Sequence, residues 1–258
     1  MVSKSPTVLR LDDPGASTKQ FEQYAKHGVP SWGPLKRYGP WRGWGPYNEL
    51  TAQQWLEVFE VLRRYEAKLT IAVTASWVAE TGERIPFHQR FPEQTAVLRQ
   101  AVAAGLVEIA NHGLTHCVET NRAFLPRPFE SNRKYHREFW EWVPAEVHHA
   151  HVKQAQDILQ QAFATEVVTF VPPGNVWTEE TEKAAAAAGL RYLTAADHAL
   201  PSETKRNGLT FVSERTTTLF HDRELALHGI SWLERLLERL LERGNGPYQM
   251  VHQFAATL

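Results

Sequence analysis

The first predicted strand of the chain, with the turn that ends it, reads Thr-Val-Leu-Arg-Leu-Asp-Asp-Pro-Gly over residues 7–15. β-Branched and aliphatic residues are typical of a buried strand, and Pro14 and Gly15 force the chain to turn where the run ends. Asp12 and Asp13 are therefore expected at the carboxyl end of a strand. Because parallel α/β folds place their functional sites at this end of their strands, the stretch indicates both a fold class and a candidate site.

The chain continues in alternating helix and strand patterns. Thr51 is expected to cap an amphipathic helix, and a strand over 69–73 follows it. Further helices are predicted over 93–104, 145–163, 178–189 and 230–243, and further strands over 107–110, 167–171, 191–194, 210–213, 217–220 and 248–254. About seven βα units without a Pro/Ser-rich linker predict a single parallel α/β domain over residues 1–258.

Two stretches interrupt this alternation. Residues 27–50 are dense in Gly, Pro and Trp, and residues 117–145 are irregular, aromatic and basic. Both are predicted to be loops inserted over the site. Trp41 and Trp44 of the first loop are candidate platforms for binding a sugar ring, with a self-packed lid as an equal alternative.

Composition excludes several classes of protein. The chain has 28 Lys and Arg against 29 Asp and Glu, so no overall basic field would attract nucleic acid. The most apolar segment, residues 67–79, is too short to cross about 30 Å of hydrocarbon, so no membrane span is expected. The single cysteine, Cys117, excludes an internal disulfide framework, and the first residues lack the apolar stretch of a secretory signal. These features predict a cytoplasmic protein.

A second polar cluster follows the strand predicted over 107–110. Residues 111–116 read Asn-His-Gly-Leu-Thr-His. Two histidines four apart, joined by a carboxylate from another strand, are the ligand set of a catalytic divalent metal with open coordination positions. Asp13, His112 and His116 supply such a set. Separately, the acidic pair also fits a plain turn and the histidines a helix cap and a partly buried imidazole, but their joint occurrence favours a metal site.

This ligand set predicts hydrolysis of an amide or ester. A water molecule in an open position would have its pKa lowered towards about 7, and Asp12 could take its proton as the water attacks a carbonyl. Consecutive side chains diverge, so Asp13 can face the metal while Asp12 faces the water. Zn2+ suits two imidazoles, one carboxylate and water, although Co2+, Mn2+ or Fe2+ could occupy the same ligands.

Four motifs, spread in order over nearly the whole chain, resemble those of the polysaccharide deacetylase family, the NodB homology domain. Leu-Arg-Leu-Asp-Asp-Pro-Gly at residues 9–15 resembles the first motif, Thr-Phe-Asp-Asp-Gly, and residues 111–116 resemble the second, His-Ser/Thr-x-x-His. Pro-Pro-Gly at residues 172–174 resembles the end of the third, Arg-x-Pro-x-Gly, and Leu-Phe-His at residues 219–221 matches the fifth, Leu-x-His.

The resemblance implies a distorted (β/α)7 barrel, a zinc-like divalent metal and removal of an acyl group, typically acetyl, from an amino sugar. By motif, Asp12 would be the catalytic base, while Asp13 and the two histidines of the second motif would bind the metal. His221 would be the acid that protonates the leaving amine, since an amine anion cannot leave unaided. His252 also ends a predicted strand and is the alternative acid.

The third motif departs from the family's pattern. Its Arg falls at Phe170, so the catalytic base lacks the partner that orients it in the family. Arg10 and Asn175 are the candidates to replace that Arg.

Two further assignments follow from the motifs. The turn at Pro173, Gly174 and Asn175 could supply a backbone N–H that stabilises the oxyanion. The fourth motif, an Asp and Trp pair, has no convincing counterpart, and Asp197 with His198 is the nearest match.

Three histidines outside these motifs, His148, His149 and His151, lie within a predicted amphipathic helix. This position predicts a solvated face with one buried member rather than a second metal site.

Three functions remain open from the sequence. The first is an N-deacetylase acting on a cytoplasmic amino-sugar precursor in surface polysaccharide or lipopolysaccharide assembly, with the precursor nucleotide-linked, lipid-linked or oligomeric. The second is a deformylase or small-amide hydrolase with the same metal chemistry. The third is a non-catalytic sugar-binding protein on the same barrel, which the missing third-motif Arg favours and the retained Asp12 disfavours.

Overall fold

The computed structural model of the chain describes residues 5–21, 24–25, 42–120, 123, 133–196, 199–213 and 217–258. Within these ranges the strands are β1 (Ser5–Asp12), β2 (Tyr24–Ala25), β3 (Arg42–Trp44), β4 (Leu69–Val73), β5 (Ser76–Val78), β6 (Arg84–Pro86), β7 (Val107–Asn111), β8 (Thr169–Phe170), β9 (Tyr192–Ala195), β10 (Lys205–Arg206), β11 (Leu209–Ser213), β12 (Thr217–His221) and β13 (Asn245–Gln249). The α-helices of the same ranges are α1 (Ala52–Arg64), α2 (Phe87–Arg90), α3 (Pro92–Ala103), α4 (Ala145–Phe163), α5 (Glu179–Ala187), α6 (Asp222–His228), α7 (Ser231–Glu242) and α8 (Val251–Ala255).

The central sheet is a path of parallel strands in the order β11, β9, β8, β7, β4, β1, β12. β10 adds to one end in the antiparallel direction, and β13 runs parallel to the first residues of β1. Every residue of β4 and β7 is buried, as expected for parallel strands covered on both faces. The predicted α/β fold is confirmed. Closure into a barrel stays a prediction, since β11 and β12 are not paired in the described part of the chain.

Helix α1 illustrates how the local sequence specifies an element. The Thr51 hydroxyl accepts a hydrogen bond from the Gln54 N–H at 3.2 Å, and the Gln54 side chain accepts one from the Thr51 N–H at 2.9 Å. This capping box satisfies two backbone donors at the start of the helix, so the predicted cap is confirmed. Trp55, Val58 and Leu62 recur at helical spacing and are all buried.

The end of the chain differs from its prediction. A strand over 248–254 is wrong, because β13 ends at Gln249 and α8 begins at Val251. The Val251 N–H donates to the Thr70 hydroxyl at 2.9 Å, and the next N–H donates to the Glu108 carboxylate at 3.3 Å. Acceptors on β4 and β7 thus satisfy the first donors of α8, a stabilisation that local sequence does not reveal.

Helix α8 packs against both halves of the sheet path. Val251 and Ala255 contact Val8 of β1 and Val212 of β11 in one buried cluster. The sheet therefore curves around this helix. None of the described helices is long and apolar enough to cross a membrane.

Candidate metal and catalytic site

The three predicted metal ligands meet at the carboxyl ends of β1 and β7. Asp13 directly follows β1, His112 directly follows β7, and His116 is four residues further on. Asp13 Oδ1 lies 3.3 Å from His112 Nε2 and 3.2 Å from His116 Nε2. One donor atom from each side chain lies within 4.8 Å of the other two. The structure thus brings together all three residues that the sequence proposed as ligands.

The donor atoms fit a divalent metal ion. Tetrahedral zinc, with bonds of roughly 2.0–2.1 Å, needs its ligand atoms about 3.3 Å apart, which agrees with both Asp13 distances. His112 Nδ1 lies 2.7 Å from the Val171 carbonyl oxygen, and a carbonyl only accepts, so Nδ1 carries the proton. In the neutral imidazole the Nε2 lone pair then faces the Asp13 carboxylate, and a divalent cation between these two acceptors would bind both.

The segment that follows β4 holds the two motif loops together. The Thr74 N–H donates to the Pro14 carbonyl at 2.8 Å, and the Ala75 N–H donates to the Gly113 carbonyl at 3.0 Å. Gly15 is required in this arrangement, because its φ is 83° and a Cβ there would lie 2.5 Å from the Thr74 carbonyl oxygen. Asp13 is thus presented from a turn with little freedom to move.

Arg10 holds the predicted base, Asp12, in a bidentate ion pair. Arg10 Nε donates to Asp12 Oδ1 at 3.0 Å and Nη2 donates to Oδ2 at 3.1 Å. A third hydrogen bond joins Arg10 Nη1 to the Thr194 hydroxyl at 2.9 Å. Residues two apart on a strand share one face, so both side chains lie on the same face of the sheet. Both are buried there, with Arg10 0% and Asp12 5% exposed. The fork fixes the plane of the carboxylate.

Asn175, the other candidate partner for the base, is engaged elsewhere. Its Oδ1 accepts a hydrogen bond from the Ala196 N–H at 2.9 Å, which links the turn after β8 to the turn after β9. The turn itself lies beside the metal ligands, because a Cβ on Gly113 would be 3.0 Å from Pro173 Cγ. Gly174 adopts a φ of 61°, and a Cβ there would lie 2.6 Å from the Arg137 side chain.

His221 lies beside Asp12 on the neighbouring strand of the sheet. The two residues are register partners of β12 and β1, so their side chains leave the same face. Burial by itself would lower the pKa of His221, but the negative charges of Asp13, Glu224 and Asp12 raise that pKa to about 9. These charges favour the protonated form of His221. Asp12 and His221 thus flank the predicted ligands.

Glu224, which none of the sequence motifs includes, forms an ion pair with His221. Its Oε2 lies 3.6 Å from His221 Nδ1 and accepts the His221 backbone N–H at 2.7 Å. Burial would raise the pKa of Glu224, but His221 and Arg223 lower it to about 2. The available signal was a Glu three residues after the end of a strand, the spacing of a capping box.

A cluster of buried charged residues lies between the turn after β1 and the start of α6. Lys19 Nζ donates to Glu49 Oε2 at 2.8 Å and also to Asp222, and the Tyr47 hydroxyl donates to Asp222 Oδ1 at 2.9 Å. The Gly15 N–H donates to Glu49 Oε2 at 2.8 Å. Burial raises the pKa of Asp222 to about 7 against the opposing effect of Lys19. The cluster ties the turn after β1 to the residue that follows His221.

The structure separates His252 from the site. His252 lies in α8, and its Nδ1 is 3.1 Å from the carboxylate of Glu108. Glu108 is the second residue of β7, whereas His112 follows the last, a separation of about 13 Å along the strand. The expectation that His252 ends a strand is therefore wrong, and this alternative acid lies near the opposite end of β7 from the predicted ligands. The physical reason is that Thr70 of β4 and Glu108 of β7 accept the first N–H groups of α8, which starts a helix where a strand was expected.

The predictions for four residues fall outside the side chains that the structure describes. Trp41, Asp197 and His198 lie outside the described residues, and for Trp44 only the backbone, in β3, is described. Of the three helical histidines, His148 is 1% and His151 is 7% exposed, so two are buried rather than the predicted one. Both histidines face inward from α4, where His148 Nδ1 lies 2.8 Å from the Thr181 hydroxyl of α5.

Comparison with known families gives a match over more than half of the chain. Residues 44–193 match the family model described as polysaccharide deacetylase. This segment contains the second and third motifs, whereas the acidic pair and His221 lie outside it. No curated protein sequence matches the chain.

Solved structures share the fold at low sequence identity. A family 4 acetyl xylan esterase from Clostridium thermocellum, in complex with a cobalt ion, is 15% identical, with a TM-score of 0.53 over 98% of this chain and 91% of that one. A CE4 family pseudoenzyme from Bacillus anthracis is 13% identical, with a TM-score of 0.53 over 98% and 66%. The 4-alpha-glucanotransferase from Thermococcus litoralis has the same identity and TM-score over 98% and 38%. This likeness is one of fold, which hosts different activities, so function rests on the site.

Proposed function

The chain belongs to the polysaccharide deacetylase family, and on this premise we propose that it is a metal-dependent hydrolase that removes an N-acetyl or other N-acyl group from an amino sugar. One observation carries the proposal. Asp12, fixed by the Arg10 fork, and His221, whose pKa is raised, flank the same convergent set of metal-binding atoms. A carboxylate base beside an imidazole whose protonated form is favoured is what acid–base hydrolysis requires.

Asp13, His112 and His116 would hold the metal. A divalent ion there would lower the pKa of a coordinated water towards about 7 and polarise the substrate carbonyl. Zn2+ suits this donor set best, with Co2+, Mn2+ and Fe2+ as alternatives.

The chain's own residues would move the protons. Asp12 accepts the proton of the attacking water, and the Arg10 fork fixes the direction of its carboxylate. His221 donates its proton to the leaving nitrogen, so that a neutral amine departs. Glu224 stabilises the charged imidazole before that transfer.

The proposed substrate is an acylated amino sugar on a nucleotide, a lipid or a short oligosaccharide, as used in cytoplasmic surface polysaccharide or lipopolysaccharide assembly. Family membership supports the carbohydrate part of this proposal. The alternative of a non-catalytic sugar-binding protein rested on the missing third-motif Arg. Because Arg10 supplies an equivalent guanidinium from β1, that argument loses its weight.

The test is amine release by purified, zinc-loaded protein from N-acetylated and N-formylated amino sugars and from small linear amides. Asp12→Asn preserves the shape of the side chain but removes the base, so we expect turnover to fall by about 10²- to 10⁴-fold while the zinc content is unchanged. Full turnover by a zinc-loaded Asp12→Asn variant would remove Asp12 from the mechanism. Amine release from linear amides alone would favour the small-amide hydrolase.

A further inference from the structure

The metal loop, residues 112–116, has a backbone that needs support from outside itself. Gly113 has a φ of 76° and His116 has a φ of 58°. The left-handed region is costly for a side chain such as that of His116. This conformation is maintained only if other contacts offset its cost. Hydrogen-bond acceptors for the backbone N–H groups of the loop would provide such contacts.

Glu138, 22 residues beyond His116, supplies those acceptors. Its Oε1 accepts the Leu114 N–H at 3.1 Å, and its Oε2 accepts the Thr115 N–H at 3.1 Å and the His116 N–H at 3.0 Å. Glu138 is only 2% exposed, so its carboxylate forms hydrogen bonds with the loop rather than with solvent.

A fourth donor completes the coordination of this carboxylate. His151 Nδ1 lies 2.6 Å from Glu138 Oε1, and Arg84 Nη2 lies 3.4 Å from His151 Nε2. A guanidinium can only donate, so Nε2 is the accepting nitrogen and Nδ1 carries the proton. His151 therefore donates to Glu138, and each carboxylate oxygen accepts two hydrogen bonds.

Glu138 also explains a departure of the metal loop from the family's motif. Where the motif has Ser or Thr, this chain has Gly113. A Cβ at that position would lie 2.3 Å from Glu138 Oε2. The carboxylate thus occupies the space that a side chain at residue 113 would need, so the glycine and the glutamate form a matched pair.

We infer that Glu138 is a positioning residue that holds the metal loop in its metal-binding conformation before the ion arrives. The inference rests on the proposed function, because it requires that a divalent ion bind at Asp13, His112 and His116. Groups that orient metal ligands typically change metal affinity by about 10- to 100-fold when they are removed.

Glu138→Gln tests the inference at nearly constant shape. In either orientation the amide NH2 would face two N–H donors, Leu114 and His151 on one side or Thr115 and His116 on the other. The matched control is Glu182→Gln in α5, another buried carboxylate, which accepts from Trp177, Arg206 and Asn207. The two variants lose the same charge, but only one of them lies at the metal loop.

The measurement is Zn2+ affinity by competition with a chromophoric chelator, together with the visible absorption of bound Co2+, which reports ligand geometry. We expect Glu138→Gln to bind Zn2+ about 10- to 100-fold more weakly and to change the Co2+ spectrum. Glu182→Gln should match the wild type in both. Equal Zn2+ affinity in all three proteins would overturn the inference. Failure of the wild type to bind Zn2+ would instead overturn the proposed metal site.

A second variant covers the case in which Glu138→Gln does not fold. His151→Leu removes one of the four donors and leaves the three backbone hydrogen bonds in place. It should weaken Zn2+ binding in the same direction by a smaller factor, about 3- to 10-fold. Unchanged Zn2+ affinity in a folded His151→Leu protein would contradict the inference.

Discussion

The two ends of the parallel sheet each hold a carboxylate beside a histidine, yet their chemistry differs. At the amino end, Glu108 accepts hydrogen bonds from the hydroxyls of Thr70 and Thr169 and from the first turn of α8. At the carboxyl end, Asp13 faces the Nε2 atoms of His112 and His116. The first carboxylate is surrounded by hydrogen-bond donors, whereas the second converges with two imidazole nitrogens that can bind a metal.

This difference separates a structural carboxylate from a functional one. A buried carboxylate with all of its acceptors satisfied stabilises the elements around it, here the start of α8. One that converges with two imidazole nitrogens can share a metal cation with them. Residue type alone does not distinguish Glu108 from Asp13, because each lies near a histidine.

The largest expected difference between the two ends is in turnover. His221→Gln removes the proton donor at the carboxyl end, so kcat should fall by about 10²- to 10⁴-fold. His252→Gln makes the same chemical change at the amino end and should leave kcat unaltered. Both are measured by amine release at saturating substrate. A loss of kcat in His252→Gln equal to that in His221→Gln would break the distinction between the ends.

A smaller effect is expected from Arg10→Lys. Lysine keeps the positive charge but loses the two parallel hydrogen bonds that fix Asp12. A misdirected base should lower kcat by about 10²-fold with little change in KM. Steady-state kinetics on zinc-loaded protein provide the measurement. A rise in KM alone would instead assign Arg10 to substrate binding.

The pH dependence of kcat should have an upper limb that belongs to His221. The surrounding negative charges raise the pKa of His221, and the active acid is lost as pH rises through that pKa. A bound divalent cation offsets the charge of Asp13, so the limb should lie below pH 9. Above it kcat should fall about tenfold per pH unit. Persistence of the same limb in His221→Gln would assign it to another group.

The smallest effect is expected at the amino end. Glu108→Gln leaves a buried donor facing the hydroxyl and N–H groups that Glu108 now accepts, so the free energy of unfolding should fall by about 1–3 kcal/mol. Zinc affinity and kcat should stay at the wild-type level. Denaturant unfolding and zinc titration measure the two quantities. If Glu108→Gln lost zinc binding while its free energy of unfolding stayed unchanged, Glu108 would belong to the metal site and the contrast between the two ends would fail.

Local sequence was sufficient for the repeating elements and for the residues at strand ends. The prediction for α4 matches its bounds, and the Thr51 cap is confirmed, because these features depend on neighbours in sequence. Asp13, His112 and His116 could be proposed together because parallel strands bring their carboxyl ends to one edge.

The missed features depend on contacts between distant segments. The first N–H of α8 donates to the hydroxyl of Thr70, which lies 181 residues away in sequence. No local pattern therefore predicts a helix there. Glu138 lies in a stretch that resembles an irregular loop, and its role appears only when the metal loop folds over it. Periodicity and motif order carry no information about such contacts.

The most direct test is the zinc content of purified protein, measured for the wild type beside the His112→Ala, His116→Ala double variant and the His252→Ala control. We predict about one zinc per chain in the wild type and in the control, and none in the double variant. No zinc in the wild type after supplementation, or equal zinc in all three proteins, would contradict the central claim that the carboxyl edge of the sheet is a metal site.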